Sequence, residues 1–337
     1  MNRIIEYLVA LGDLFMPRAC LACGCRLGMR ERYLCLSCAA DVPYTRFWLA
    51  PHNPLADRFN AVLERHRGTE PMDYAYAAAL LYYKGAYRSI PRALKYQGDL
   101  AAGRHYGALL GRRLAAAPHF ADIDLVIPVP LHWTRRRARG YNQAEILARS
   151  LVDAYRATPA PPEVSDSWPV GAGHDDRATS LIPPIPPDIL STVPPDAPAV
   201  VIPGLTRNLP EVRADLLVRA RRTRTQTRVS VDQKARNVAS AFRVRERFSR
   251  WARFISTLKG VPRESPAAVL ASARHILLVD DTYTTGATLY ACYAALRPFT
   301  SARISIATLA AVEGTPSGTG GVPTDPEGGP ASAPPSA

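Results

Sequence analysis

An aliphatic run that ends in Asp280 and Asp281 and gives way to Thr284, Thr285, Gly286, Ala287 and Thr288 places acids and hydroxyls where a strand hands over to a helix. The full stretch, residues 275–289, reads HILLVDDTYTTGATL. A helix start offers unpaired backbone N–H groups and the positive end of a dipole, which together suit an anion such as phosphate. Gly286 lets the backbone approach a ligand closely and adopt a positive φ. Two carboxylates just upstream would repel a phosphate unless they serve another part of the same ligand. Ribose hydroxyls, or a metal ion carried by a phosphorylated sugar, account for both charges. A nucleotide-binding P-loop reading of ILLVDD fails, because that site also requires a Gly-Lys pair and the chain has none. A receiver-type acidic cluster fails as well, since too little chain follows Asp281 to build the rest of such a domain.

Two further sets of residues carry chemistry. Arg135, Arg136, Arg137 and Arg139 follow the short apolar run DLVIPVP (124–130) and could neutralise a diphosphate, whose several oxygens need several donors. Cys20-x2-Cys23 and Cys35-x2-Cys38, separated by eleven residues, form two knuckles able to place four thiolates tetrahedrally around Zn2+. Disulfides and buried or redox thiols are the weaker explanations in an intracellular setting. Cys25 is a fifth, spare thiol, and Cys292 reads as a small core residue.

VDDTYTTGAT resembles the phosphoribosyl pyrophosphate (PRPP) loop of type I phosphoribosyltransferases. Thr282 departs from that pattern, which usually has an aliphatic residue there. Other stretches narrow the resemblance to the ComF family: Pro128–Leu131, Arg139–Gln143, Arg222 with Thr225 and Gln226, Arg236–Val238 with Phe242, and KGAYRSIPRALKYQGD (84–99), which includes Lys95 and Tyr96. The resemblance covers residues 16–312 apart from two inserts. It implies that Asp280 and Asp281 contact the ribose hydroxyls and that Thr284, Thr285, Gly286, Ala287 and Thr288 hold the 5′-phosphate. Arg137, Arg139, Arg222 and Gln226 complete the implied PRPP-binding set, with Mg2+ arriving on the ligand. It further implies an N-terminal zinc-ribbon-like element, a link to DNA uptake (competence) or recombination proteins, and either phosphoribosyl transfer or an accessory role. Single-stranded DNA is the implied alternative ligand; Tyr44, Phe47 and Trp48 could stack on its bases, although core or interface packing is the favoured expectation for them.

Elements of three kinds must position these residues. AYAAALLYY (75–83), DLVIPVP and ARISIATLAAV (302–312) predict strands, as does the run before Asp280. Residues 101–117 and 140–155 predict helices by their periodicity. Strands alternating with helices predict an α/β domain, a type I phosphoribosyltransferase-like parallel sheet flanked by helices over 70–313, behind a small zinc-binding element in 1–50. Residues 157–210 are rich in proline and predict an extended insert; 246–268 form a second insert, and 314–337 a low-complexity tail. The stretch 216–242 predicts a loop able to close over an anionic substrate.

Composition limits the function classes. The net charge is +13, carried by arginine, since Lys84, Lys95, Lys234 and Lys259 are the only lysines. Such a charge suits phosphate or a polyanion. No apolar run reaches the length of about 18 residues that spans a bilayer. The apolar spacing of Ile4, Ile5, Leu8 and Leu11 predicts a short amphipathic helix rather than a signal peptide, so the expected location is cytoplasmic.

Overall fold

Strands that read as continuous apolar runs are those buried on both faces of a parallel sheet, and four of them pair in this way, with a two-residue strand added at one edge. The computed structural model describes residues 17–66, 73–158, 210–220, 241–246 and 264–314. The N-terminal amphipathic helix, most of both inserts, Arg222, Gln226 and the tail lie outside these residues. The strands are β1 (Ala77–Tyr82), β2 (Leu125–Pro128), β3 (Glu211–Val212), β4 (Leu217–Arg219), β5 (Phe242–Val244), β6 (His275–Tyr283) and β7 (Arg303–Ala311). The main sheet has the order β1-β7-β6-β2-β3, and every pairing in it is parallel. β4 and β5 form a separate antiparallel hairpin.

The helices are α1 (Leu36–Ala40), α2 (Pro54–His66), α3 (Leu100–Ala115), α4 (Trp133–Arg139), α5 (Gln143–Ala157), α6 (Pro266–Ser272) and α7 (Ala287–Leu296). Short helical turns over 85–97 end in a π turn at Ala93–Gln97. The sequence expectations for the strands at 75–83, 124–130 and 302–312 and the helices at 101–117 and 140–155 correspond to β1, β2, β7, α3 and α5. Several elements among the described residues went unforeseen, α1, α2 and β3 among them. The arginine cluster forms α4, the stretch read as a closing loop begins and ends in the β4–β5 hairpin, and α6 lies partly inside the second insert.

Crossovers between parallel strands are right-handed, and this fixes which helix covers which face. The step from β2 to β3 runs one way across the sheet through α5, and the step from β6 to β7 runs the other way through α7. The two helices therefore occupy opposite faces. Leu147, Leu151 and Tyr155 of α5 pack with Leu110 and Leu114 of α3 over Val126, Leu277 and Val279. Leu289, Cys292 and Leu296 of α7 pack with Phe59 of α2 and Phe242 of the hairpin over Ile127, Leu278 and Ile306.

Close packing of α3 on α5 depends on a glycine. A Cβ added at Gly111 would lie 2.1 Å from the Leu151 carbonyl oxygen. Gly111→Ala is expected to force the helices apart and destabilise the protein by about 1–3 kcal/mol, the usual cost of overpacking. Urea unfolding with an unchanged slope would check this.

The N-terminal element covers the exposed edge of β1. Thr45 N–H donates to the Leu80 carbonyl (3.2 Å), and Tyr82 N–H donates to the Pro43 carbonyl (2.8 Å). Phe47 and Trp48 are 8% and 4% exposed. They are core side chains, in line with packing rather than base stacking: the edge strand supplies an apolar surface that they seal.

Candidate functional site

β2 and β6 are neighbours whose outgoing connections run in opposite directions. Their carboxyl ends therefore open a crevice, the place where open α/β sheets bind ligands. β6 ends there with Asp280, Asp281 and Thr282, and β2 leads there into Val129 and α4. The structure thus brings the acidic turn and the arginine helix to one edge of the sheet, although they are about 140 residues apart in sequence.

The acidic pair divides between the two faces. Asp281 is 9% exposed, and its Oδ2 lies 2.6 Å from Lys95 Nζ. The same ammonium donates to Thr282 Oγ1 at 3.3 Å. Asp280 accepts from the Asp281 N–H at 2.8 Å. Burial pushes the Asp280 carboxyl up to about 6, against the opposing pull of Lys95 and Arg219. The nearest carboxylate to Lys95 is Asp281, but the field of its charge reaches both acids. Burial also lowers the Lys95 ammonium; Asp280 counteracts this, while Arg139 and Arg135 add to it.

The turn after the acids is built for close approach. Gly286 has φ +78 and caps α7 without a side-chain acceptor. A Cβ at Gly286 would meet the Tyr283 hydroxyl at 2.6 Å, so only glycine fits. Thr285 Oγ1 accepts weakly from the Ala287 N–H at 3.5 Å, and Thr284 and Thr285 are exposed. Arg58 braces the turn, donating to the Thr284 carbonyl (3.0 Å) and the Val312 carbonyl (2.8 Å).

α4 carries Arg135, Arg136 and Arg137 on an exposed surface, while Arg139 is half-buried and lies over the Tyr96 ring at 5.4 Å. Asn142 pins the loop by donating to the Val129 carbonyl at 3.1 Å. Asn142 Oδ1, Gln143 Nε2 and Thr308 Oγ1 are buried with no partner among the described residues, and atoms of this kind are commonly satisfied by a ligand or water. Sequence reasoning assigned no role to Lys95, Arg58, Asn142, Gln143 or Arg219. Lys95 was visible only as a letter in the resemblance, and nothing local links it to Asp281.

The second candidate centre is the four-cysteine set. The Sγ atoms of Cys20, Cys23, Cys35 and Cys38 all lie within 4.8 Å of one another. Cys23 and Cys35 are 3.7 Å apart, and a tetrahedron with metal–sulfur bonds of about 2.3 Å has edges of about 3.8 Å. Burial raises the Cys20 thiol, but N–H groups of Cys23, Cys35 and Ala22 outweigh it and bring the thiol down to about 6. The four cysteines can hold a metal ion and are consistent with structural zinc. Cys25 is exposed and stands outside the set. Tyr87 donates to the Cys38 carbonyl at 2.9 Å, and the Tyr33 ring lies 4.8 Å from His105 of α3, which docks the element on the sheet domain.

At the opposite, amino end of β6, His275 Nδ1 lies 2.6 Å from Asp122 Oδ1 and Nε2 lies 2.8 Å from Ser305 Oγ. The arrangement has the connectivity of a hydrolytic triad. Both His275 and Ser305 are 0% exposed, so no substrate reaches the hydroxyl, and the set is a satisfied core network. His119, beside Phe120 and Tyr76, and His105 are both brought down to about 4, chiefly by burial. A histidine whose folded value lies below its unfolded value of about 6.5 takes up its proton first in the unfolded chain. Stability from these two groups is full above that value and is lost as pH falls from about 6.5 towards 4. The melting temperature is expected to fall over this window, and less steeply in His119→Phe.

Among the described residues no helix is long and apolar enough to cross a membrane. No protein-family model matches the chain, and no curated protein matches it either.

Proposed function

We propose that the protein is a ComF-like member of the type I phosphoribosyltransferase group that binds PRPP with Mg2+ at the carboxyl ends of β2 and β6. Transfer of the phosphoribosyl group to an acceptor is the reaction this arrangement suits. One observation carries the reading: Asp280 and Asp281 stand at the switch point of a parallel sheet, directly before a turn capped by Gly286 at positive φ. The carboxylates would accept from the ribose hydroxyls, and Thr284, Thr285, Gly286, Ala287 and Thr288 would cradle the 5′-phosphate with the N–H groups that begin α7. Arg137 and Arg139, with Arg135 and Arg136, would face the diphosphate, where fixed positive charge opposes the charge that develops as it leaves. Arg222 and Gln226 belong to the segment between β4 and β5 and would close over it. Asp281 already has an ammonium partner, so the acids form no metal cage of their own. Mg2+ therefore fits as an ion carried by the ligand, neutralising diphosphate oxygens. Zn2+ is the ion proposed for the four cysteines.

The test is a thermal melt with Mg2+, with and without PRPP. At about 100 times its dissociation constant the ligand should add about 2.7 kcal/mol of stability, which raises the melting temperature by several degrees. No shift in a folded sample would overturn the reading. An accessory role in DNA uptake or recombination is the second reading. It is favoured by Trp133 and Tyr96, 66% and 74% exposed beside the arginines of α4. On that reading single-stranded DNA binds with an affinity that falls steeply as salt rises.

A further inference from the structure

Lys95 stands between the acids and the arginines, and its surroundings assign it more than a charge-balancing task. Its ammonium has three donors. It forms an ion pair with Asp281 Oδ2 at 2.6 Å and donates to Thr282 Oγ1 at 3.3 Å. Asp281 Oδ2 accepts no hydrogen bond among the described residues, so the ammonium keeps donors to spare. Arg135 and Arg139 both disfavour its charge, so their guanidinium groups lie close enough for their field to reach it. Lys95 is held by a π turn that ends in Gly98 at φ +69, and turns of this kind recur at functional sites. Its stem of four carbons allows the ammonium to swing several ångströms without moving the backbone.

Resting on the PRPP reading above, we propose that Lys95 is a transferable counter-ion. In the unliganded protein it neutralises Asp281, with Thr282 as the latch that keeps it there. When a phosphorylated ribose enters, the sugar's hydroxyls take over Asp281, and the ammonium turns to the diphosphate beside Arg135 and Arg139. The latch depends on the threonine: an aliphatic residue at 282 could not accept the lysine's hydrogen bond. Lys95 thereby discriminates between a ribose phosphate that bears a diphosphate at the anomeric carbon and one that does not.

Calorimetric titration of the full chain with PRPP and with ribose 5-phosphate, each with Mg2+, tests the proposal. In Lys95→Met the affinity for PRPP is expected to fall by about 10- to 100-fold, the worth of one charge-assisted hydrogen bond. The affinity for ribose 5-phosphate should hold or rise, because Asp281 is then free for the sugar. Thr282→Val, a conservative change that should leave the fold intact, is expected to tighten PRPP about threefold by destabilising the resting state. Equal losses for both ligands in Lys95→Met would make Lys95 a fixed structural partner and overturn the proposal. So would unchanged PRPP affinity in Lys95→Met, or unchanged or weaker PRPP affinity in Thr282→Val. If the unaltered protein binds neither ligand, the PRPP reading itself fails and the proposal falls with it, a result seen before any variant is made.

Discussion

Chelating the metal from the four-cysteine element is expected to unfold residues 17–46 while leaving the parallel sheet intact. The element has almost no apolar core of its own. Between residues 17 and 46 the buried hydrophobic side chains are Cys20 and Leu27, and α1 buries none of its five residues. With a metal in place, its order would come mainly from that ion, helped by the Glu31 hydrogen bonds to Gly28 and Leu36 N–H and by docking contacts such as Tyr33 on His105 and Tyr87 on the Cys38 carbonyl. A structural zinc contributes an apparent 10–16 kcal/mol, roughly, to the folding of a small domain, far more than those contacts supply. The purified protein should hold one zinc per chain. With a chelator, hydrogen exchange should become fast across 17–46 and stay slow in β6 and β7. Cys20→Ser should reproduce that pattern without chelator, and Cys25→Ser should not, because Cys25 lies outside the set. Slow exchange across 17–46 in metal-free protein would refute the zinc assignment.

Replacing Asp280 and Asp281 together by Asn is expected to abolish PRPP binding. Each carboxylate would lose a charge-assisted hydrogen bond of about 1.5–3 kcal/mol, so the pair should lose on the order of 10²- to 10⁴-fold in affinity. The single variants separate function from folding. Burial raises the Asp280 carboxyl to about 6, so its charge is held at a cost to the folded state. Asp280→Asn should therefore keep or raise the melting temperature while weakening the ligand. Asp281→Asn removes the partner of a buried ammonium and should lower the melting temperature as well. For the same reason, PRPP binding through Asp280 should fade as pH drops through about 6, where the carboxylate takes up a proton. An Asp280→Asn protein with unaltered PRPP affinity would remove the acidic turn from the site.

The legible parts of this protein are those written in consecutive residues. HILLVDD followed by a Thr/Gly turn encodes strand, acids and helix start within fifteen positions, because backbone propensity and side-chain alternation act over that range. The paired C-x2-C knuckles are legible for the same reason, since each fixes two ligands by local geometry. β1, β2, β7, α3 and α5 followed from apolar runs and periodicity. α4 did not, because a helix of seven residues with four arginines and no buried side chain shows no periodic apolar face. The β4–β5 hairpin was hidden because its strands are three residues each and twenty-two residues apart.

What only the tertiary structure decided is which of these pieces meet. Lys95 reaches Asp281 and Thr282 across about 186 residues, Arg58 braces Thr284 across 226, and Asp122, His275 and Ser305 converge at the far end of the sheet. None of these pairs has a local signature, because each depends on strand order. That order follows from right-handed crossovers and the burial of both sheet faces, which are properties of the whole chain. By itself the sequence determined the acids, hydroxyls and glycine of the turn and the metal-ligand spacing of the four cysteines. The fold decided that an ammonium stands between the acids and the arginines, because only the β6–β2 switch point brings the ends of distant strands into one crevice.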